Sequence, residues 1–185
     1  IFASLVSIGV EKANLHSELV GKQLLEDELK IAHQVMGALM PDRAPRVKNF
    51  AVSGRTIPSA EVGGDYYDFL DVADGRLGLV IADVSGKGIP AALIMATFRA
   101  YLHALLGNGF ALRAVFSRLN HLLIKSTQDR HFVTAFYGEL DSEGRRMFYL
   151  NAGHNPPLLI RPGEPTKLLS TGGIPLGVLK QASFS

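Results

Sequence analysis

Between residues 77 and 106 the chain is apolar almost throughout, and one short loop, Asp83-Val-Ser-Gly-Lys-Gly88, divides the stretch in two. The first part, Leu77-Gly-Leu-Val-Ile-Ala-Asp83, reads as a buried strand that ends on a carboxylate. The second opens at Pro90 and runs through Ala91, Ala92, Leu93, Ile94, Met95, Ala96 and Phe98. A helix that is apolar nearly all round is a buried helix. Proline suits its first turn, because the missing N–H costs no intrahelical bond. Strand and helix must therefore pack in layers, and a charge must sit where the strand leaves the interior. Such a charge is costly unless it is paired or bound to a cation.

The rest of the chain arranges itself around this segment. Residues 1–40 read as helix, since the first proline is Pro41 and only Gly9, Gly21 and Gly37 interrupt. Ile1, Leu5, Ile8, Leu15 and Leu19 form one apolar stripe, and Leu25, Leu29, Ala32, Met36 and Leu39 form another. Lys22 and Glu26 fall where the first stripe should continue, a break that locally changes supercoil winding. Forty residues is long for a globular helix, so a dimeric coiled coil is expected over about residues 5–30. Strands are predicted over 47–57, 65–71 and 76–83, the last two joined by a turn at Ala73-Asp-Gly75. Helices follow over 89–106 and 110–126. Strands 131–140 and 145–151 then flank Asp141-Ser-Glu-Gly144 as a hairpin, with shorter strands at 157–161, 166–170 and 175–179. Helix, strands, two helices, strands is an α+β order.

Composition narrows the function. The chain has 185 residues, is 47% hydrophobic and 19% charged, and contains no cysteine. Disulfide frameworks and thiolate metal sites are excluded. No uninterrupted apolar run reaches the roughly 18 residues of a bilayer span, and Ile1–Val10 lacks the basic flank and cleavage pattern of a signal peptide. A cytoplasmic protein is expected. The net charge of +2 does not suggest nucleic acid. No acid occurs between Asp83 and Asp129, whereas Lys87, Arg99, Arg113, Arg118 and Lys125 do. This basic stretch is either a solvated helix face or a surface favouring a phosphorylated partner.

Two aspartates carry the chemistry. Asp65 stands in Val62-Gly-Gly-Asp-Tyr-Tyr-Asp-Phe69 and Asp83 in Ile81-Ala-Asp-Val-Ser-Gly-Lys-Gly-Ile-Pro90. Carboxylates on rigid strands suit a hard cation such as Mg²⁺ or Mn²⁺. Gly63 and Gly64 allow close backbone approach, and Gly86 and Gly88 shape the loop into the buried helix. Asp68 alternates with Tyr66 and so points away from Asp65, in a structural role. Gly86-Lys-Gly88-Ile-Pro-Ala91 also mimics a dinucleotide fingerprint, but no acid follows at the required distance and the hairpin signals oppose a parallel sheet. His154 in Asn151-Ala-Gly-His-Asn155 is either a general acid or a hydrogen-bonding turn residue. His16, His33, His103, His121 and His131 lack metal-ligand spacing and read as structural or surface groups.

The runs VGGDYYDF and ADVSGKGIPAAL, followed by NAGHNPPLL and GGIPLGV, resemble the SpoIIE/RsbU-type branch of the metal-dependent protein phosphatases (PPM), in the family's order. The resemblance implies an αββα sandwich of two antiparallel sheets flanked by helices over residues 45–185. It implies two Mn²⁺ or Mg²⁺ ions held by Asp65, Asp83 and the Val84 carbonyl, with Asp83 bridging. It implies serine/threonine phosphatase activity on a phosphorylated anti-sigma-factor antagonist in partner-switching signalling. Later TDG-like and DD-like metal motifs of the family have no counterpart before Ser185, so the domain is expected to lack its C-terminal part. The alternative is a non-catalytic dimerising scaffold that binds the same protein. The first residues, ASLVSIGVEKANLHSEL, are similar to the last helix of a GAF-type sensor, which implies an upstream sensor and makes residues 1–40 its linker.

Overall fold

The computed structural model describes residues 2–57, 62–72, 75–106, 110–127 and 131–185. The elements are α1 (Phe2–Gly37), β1 (Tyr66–Asp71), β2 (Leu77–Val84), α2 (Gly88–Leu106), α3 (Leu112–Thr127), β3 (Val133–Asp141), β4 (Arg146–Ala152), β5 (Leu158–Leu159), β6 (Lys167–Leu168) and β7 (Gly172–Gly173). One sheet has the order β1-β2-β3-β4-β7, and β5 pairs with β6. β1, β2, β3 and β4 are successive antiparallel neighbours, while β4 and β7 are parallel. This mixed, antiparallel-rich α+β architecture agrees with the fold expected.

Alternation along the strands aims one row of side chains at the helices. Val80, Ala82, Val84, Val133, Ala135 and Tyr137 meet Ala91, Met95, Phe98 and Leu102 of α2 and Val115, Phe116, Leu119 and Leu123 of α3 in one buried cluster. Each large apolar side chain so buried contributes about 1.5–3 kcal/mol of transfer free energy. β2 and β3 share the longest ladder, from Leu77↔Leu140 to Val84↔Val133. That ladder holds the end of β2, and hence Asp83, in a fixed place.

Several expectations are corrected. Residues 47–57 form no strand. Only an isolated Val47↔Phe50 bridge occurs, around Asn49 at φ 65°. Gly54 lies flat on the Tyr67 ring, where an added Cβ would come within 2.6 Å of ring carbons, and its carbonyl accepts from the Tyr67 hydroxyl (3.2 Å). The segment meets β1 through the Tyr67 side chain and pairs with no sheet strand. No strand forms at 175–179 either: Leu176 bridges Val133 alone, and Gly177 turns at φ 89°. The ladder position goes to Gly172–Gly173, because only a glycine fits where a Cβ would meet the Asn151 backbone. α1 ends at Gly37, and residues 38–40 form turns. α2 is long and apolar enough to cross a bilayer by composition, contrary to the run-length reading. Its apolar residues instead build the core on one face, leaving Ile89 and Leu93 exposed. Ala73, Asp74 and Asp129, and the side chains of Ile1, Leu5 and Ile8, lie outside the described residues.

Candidate metal centre

The β1–β2 register sets the two aspartates side by side. Tyr66 pairs with Ala82, so Asp65, just before β1, lies next to Asp83, the penultimate residue of β2. Both side chains line the same two pockets. Partial desolvation, then the charge and hydrogen bond of Asp65, push the Asp83 carboxyl above the usual aspartate range. Two carboxylates held together against their repulsion form a site of negative potential that a cation relieves.

The backbone completes the donor set. The Ser85 N–H donates to the Phe132 carbonyl (2.9 Å). A trans peptide points its C=O opposite its N–H, so the Val84 carbonyl is aimed away from β3 toward Gly64. An added Cβ on Gly64 would lie 3.0 Å from that oxygen, 2.9 Å from the Val84 Cβ and 3.3 Å from the Ala91 Cβ. Gly64 is thus needed for close approach, whereas an added Cβ on Gly63 would meet nothing nearer than 4.0 Å. Gly86 and Gly88 turn the loop at φ 100° and 73°. Two carboxylates and a carbonyl, all oxygen, fit Mg²⁺ or Mn²⁺. Among the described residues, no third Asp, Glu, His or Cys joins Asp65 and Asp83 in one cluster.

The aspartates open into two pockets. One, of about 310 Å³, is walled by His33 and Met36 at the end of α1 and by Met40 just after it, with Lys87 also in its lining. The other, of about 250 Å³, is lined by Arg55, Thr56 and His154. His154 Nδ1 lies 2.9 Å from the Thr134 hydroxyl, itself 3.4 Å from the Asp83 carbonyl. One proton arrangement serves both contacts: Nδ1–H donates to Thr134, and Thr134 donates to Asp83. Burial lowers the His154 pKa from its ordinary value, against the opposing pull of Asp83 and then Asp65, so the ring is neutral at pH 7. Asn151 fixes this turn, accepting from the His154 N–H (2.7 Å) and donating to the His154 carbonyl (3.0 Å).

Asp68 points into the opposite face, as the alternation predicts. It accepts from the Tyr66 hydroxyl (2.6 Å) and pairs with His103 (2.9 Å) and Arg99 (3.5 Å). Burial, then the hydrogen bond to Asp68, drive the Tyr66 hydroxyl far above its ordinary pKa, so it stays a donor. Sequence reading missed Thr134 and the α1 wall, and it read His131 as a structural or surface group without its contact to the Ser85 carbonyl. Thr134 becomes visible only through the register Asp83↔Thr134. β2 has antiparallel neighbours on both sides, which removes the parallel βαβ unit that a dinucleotide loop requires.

Comparison with known proteins identifies the family and the fold. Residues 73–185 match the family described as Stage II sporulation protein E (SpoIIE). The phosphoserine phosphatase RsbU of Bacillus subtilis is 29% identical over 91% of this chain and 51% of its own length. The phosphoserine phosphatase RsbP of the same organism is 32% identical over 68% of this chain and 32% of its own. The chain thus spans about half or less of these relatives. The RsbU and RsbW domains of Rv1364c from Mycobacterium tuberculosis superpose with a TM-score of 0.59 at 28% identity, over 70% of this chain and 37% of that one. The SiaA-PP2C domain of Pseudomonas aeruginosa shares the fold, with a TM-score of 0.67 at 19% identity, over 90% of this chain and 66% of that one.

Proposed function

Because the chain belongs to the SpoIIE family of PP2C-type phosphatase domains, we propose that it is a metal-dependent protein serine/threonine phosphatase acting on a phosphorylated anti-sigma-factor antagonist. The observation that carries the reading is the adjacency of Asp65 and Asp83 beside the Val84 carbonyl. These three residues would hold Mn²⁺ or Mg²⁺. Held by these residues, such an ion would supply Lewis-acid activation of a water and charge stabilisation for the phosphoryl oxygens. The chain's own groups set the stage. Thr134 orients the His154 ring and Asn151 its backbone, and burial disfavours the charged ring, which suits a hydrogen-bonding group better than a general acid. Asp65, Asp83 and the Val84 carbonyl are the ligands in this reading, Gly64 permits the close approach, and Gly86 and Gly88 turn the loop.

The exposed apolar residues of α1, among them Leu15, Leu19, Leu25 and Ile31, support a homodimer paired through this helix, with residues 1–40 as linker from a sensor. One observation favours a second reading, a dimerising scaffold without hydrolysis: among the described residues only two carboxylates gather. Turnover of a phosphoserine peptide with Mn²⁺ separates the two. Release of phosphate, lost in Asp83→Asn, supports the phosphatase. Binding of the phosphoprotein without release supports the scaffold.

A further inference from the structure

We infer that His131 is a positioning residue that fixes the peptide carrying the Val84 carbonyl at the cation site. Ser85, the residue after Val84, is gripped at three atoms by residues 131 and 132. Its N–H donates to the Phe132 carbonyl (2.9 Å), its Oγ accepts from the Phe132 N–H (2.9 Å), and its carbonyl lies 2.9 Å from His131 Nδ1. A carbonyl only accepts, so Nδ1 carries the proton in either charge state of the ring. The Val84–Ser85 peptide is thus anchored by Phe132 through the Ser85 N–H, and His131 anchors the next peptide through the Ser85 carbonyl, so rotation of the Val84 C=O away from Gly64 is restrained from both ends of Ser85.

The ring is itself seated. It lies against Gly86, where an added Cβ would approach it at 3.4 Å, and the His131 carbonyl lies 3.0 Å from where a Cβ on Gly177 would sit. Gly177 is held in turn by buried Asn120 of α3, whose Oδ1 accepts its N–H (2.8 Å) while Nδ2 donates to the Leu179 carbonyl (2.8 Å). A continuous set of hydrogen bonds and close contacts therefore runs from α3 to the metal-binding loop. Groups that orient a ligand in this way typically govern metal affinity by about 10- to 100-fold.

The inference rests on Val84, Asp65 and Asp83 being the cation site, and the test separates the two ideas. His131→Phe keeps the ring and removes the donor. His131→Asn removes the ring but places an amide N–H where Nδ1 stood. Calorimetry with Mn²⁺ and amide exchange at Ser85 are measured on both variants and on the wild-type chain. The expected result is Mn²⁺ binding weakened about 10-fold or more and faster Ser85 exchange in His131→Phe, with both close to wild type in His131→Asn. The reverse order makes ring packing the cause and overturns the inference, as does equal behaviour of the two variants. Wild-type chain that does not bind Mn²⁺, with the exchange pattern as expected, overturns the cation site and leaves His131 as the anchor of Ser85.

Discussion

Adjacent glycines 63 and 64 should respond to alanine with opposite signs. At Gly64 the new Cβ falls 2.9 Å from the Val84 Cβ, 3.0 Å from the Val84 carbonyl oxygen and 3.3 Å from the Ala91 Cβ. Val84 and Ala91 are both buried, and none of these atoms ends a flexible side chain. Overpacking of this kind costs about 1–3 kcal/mol. The alanine also restricts the unfolded chain, which returns about 0.4–1 kcal/mol. The net destabilisation is about 1–2 kcal/mol, or a fall in Tm of roughly 2–8 °C for a domain of this size. Displacing the Val84 carbonyl should also shrink the Mn²⁺-induced rise in Tm. At Gly63 the nearest atom is 4.0 Å away and no positive φ is imposed, so only the entropic gain remains and Tm should hold or rise slightly. Thermal melts with and without Mn²⁺ read both effects. Equal Tm values for the two variants would refute the packing argument. An undiminished Mn²⁺ response in a destabilised Gly64→Ala would detach the Val84 carbonyl from the site.

Asp83→Asn should raise the Tm of the metal-free chain near neutral pH while abolishing its response to Mn²⁺. The raised folded-state pKa of Asp83 gives stability that is full below the ordinary 3.8 and is lost as pH rises through the folded value. The advantage of the asparagine must therefore vanish in acid; an advantage that persists there has another cause. Leu15→Asp with Leu19→Asp should convert a dimer to a monomer in light scattering, since each buried leucine contributes about 1.5–3 kcal/mol and both are exposed on a single chain. A wild-type chain that is monomeric at high concentration would remove the basis for that pairing. Thr134→Val should loosen the His154 turn and raise its amide exchange, with the core unaffected; unchanged exchange would assign the turn to Asn151 alone.

The segments with a strong period were legible before any coordinates. An apolar run ending on a carboxylate defined β2, and the mostly apolar Ala91–Phe98 run defined α2, because burial leaves a pattern in the sequence. The two aspartates were legible because glycines and a strand end are visible locally. Residues 47–57 misled, since Val47, Phe50, Ala51 and Val52 have strand composition, yet Phe50 and Ala51 stay exposed and the segment touches β1 through Gly54 and Tyr67. β7 was hidden for the opposite reason: Gly172–Gly173 has no strand composition, and it pairs only because it lacks side chains. Thr134, His131 and Asn120 act through contacts across 51, 46 and 57 residues of chain. No local pattern reports such distances.

The wall that α1 lends to the larger pocket gives the helix a mechanical meaning. Its 36 residues make a rod about 54 Å long, with a side-chain surface roughly 5 Å from the axis. A straight rod passes axial rotation along its length undiminished. A turn of about 20° applied near Leu15 would sweep Met36 through an arc of about 1.7 Å at that radius. Met36 and Met40 line the cavity that contains Asp65 and Asp83. Rotation of the helix about its own axis would therefore change the width of the chamber that holds the aspartates.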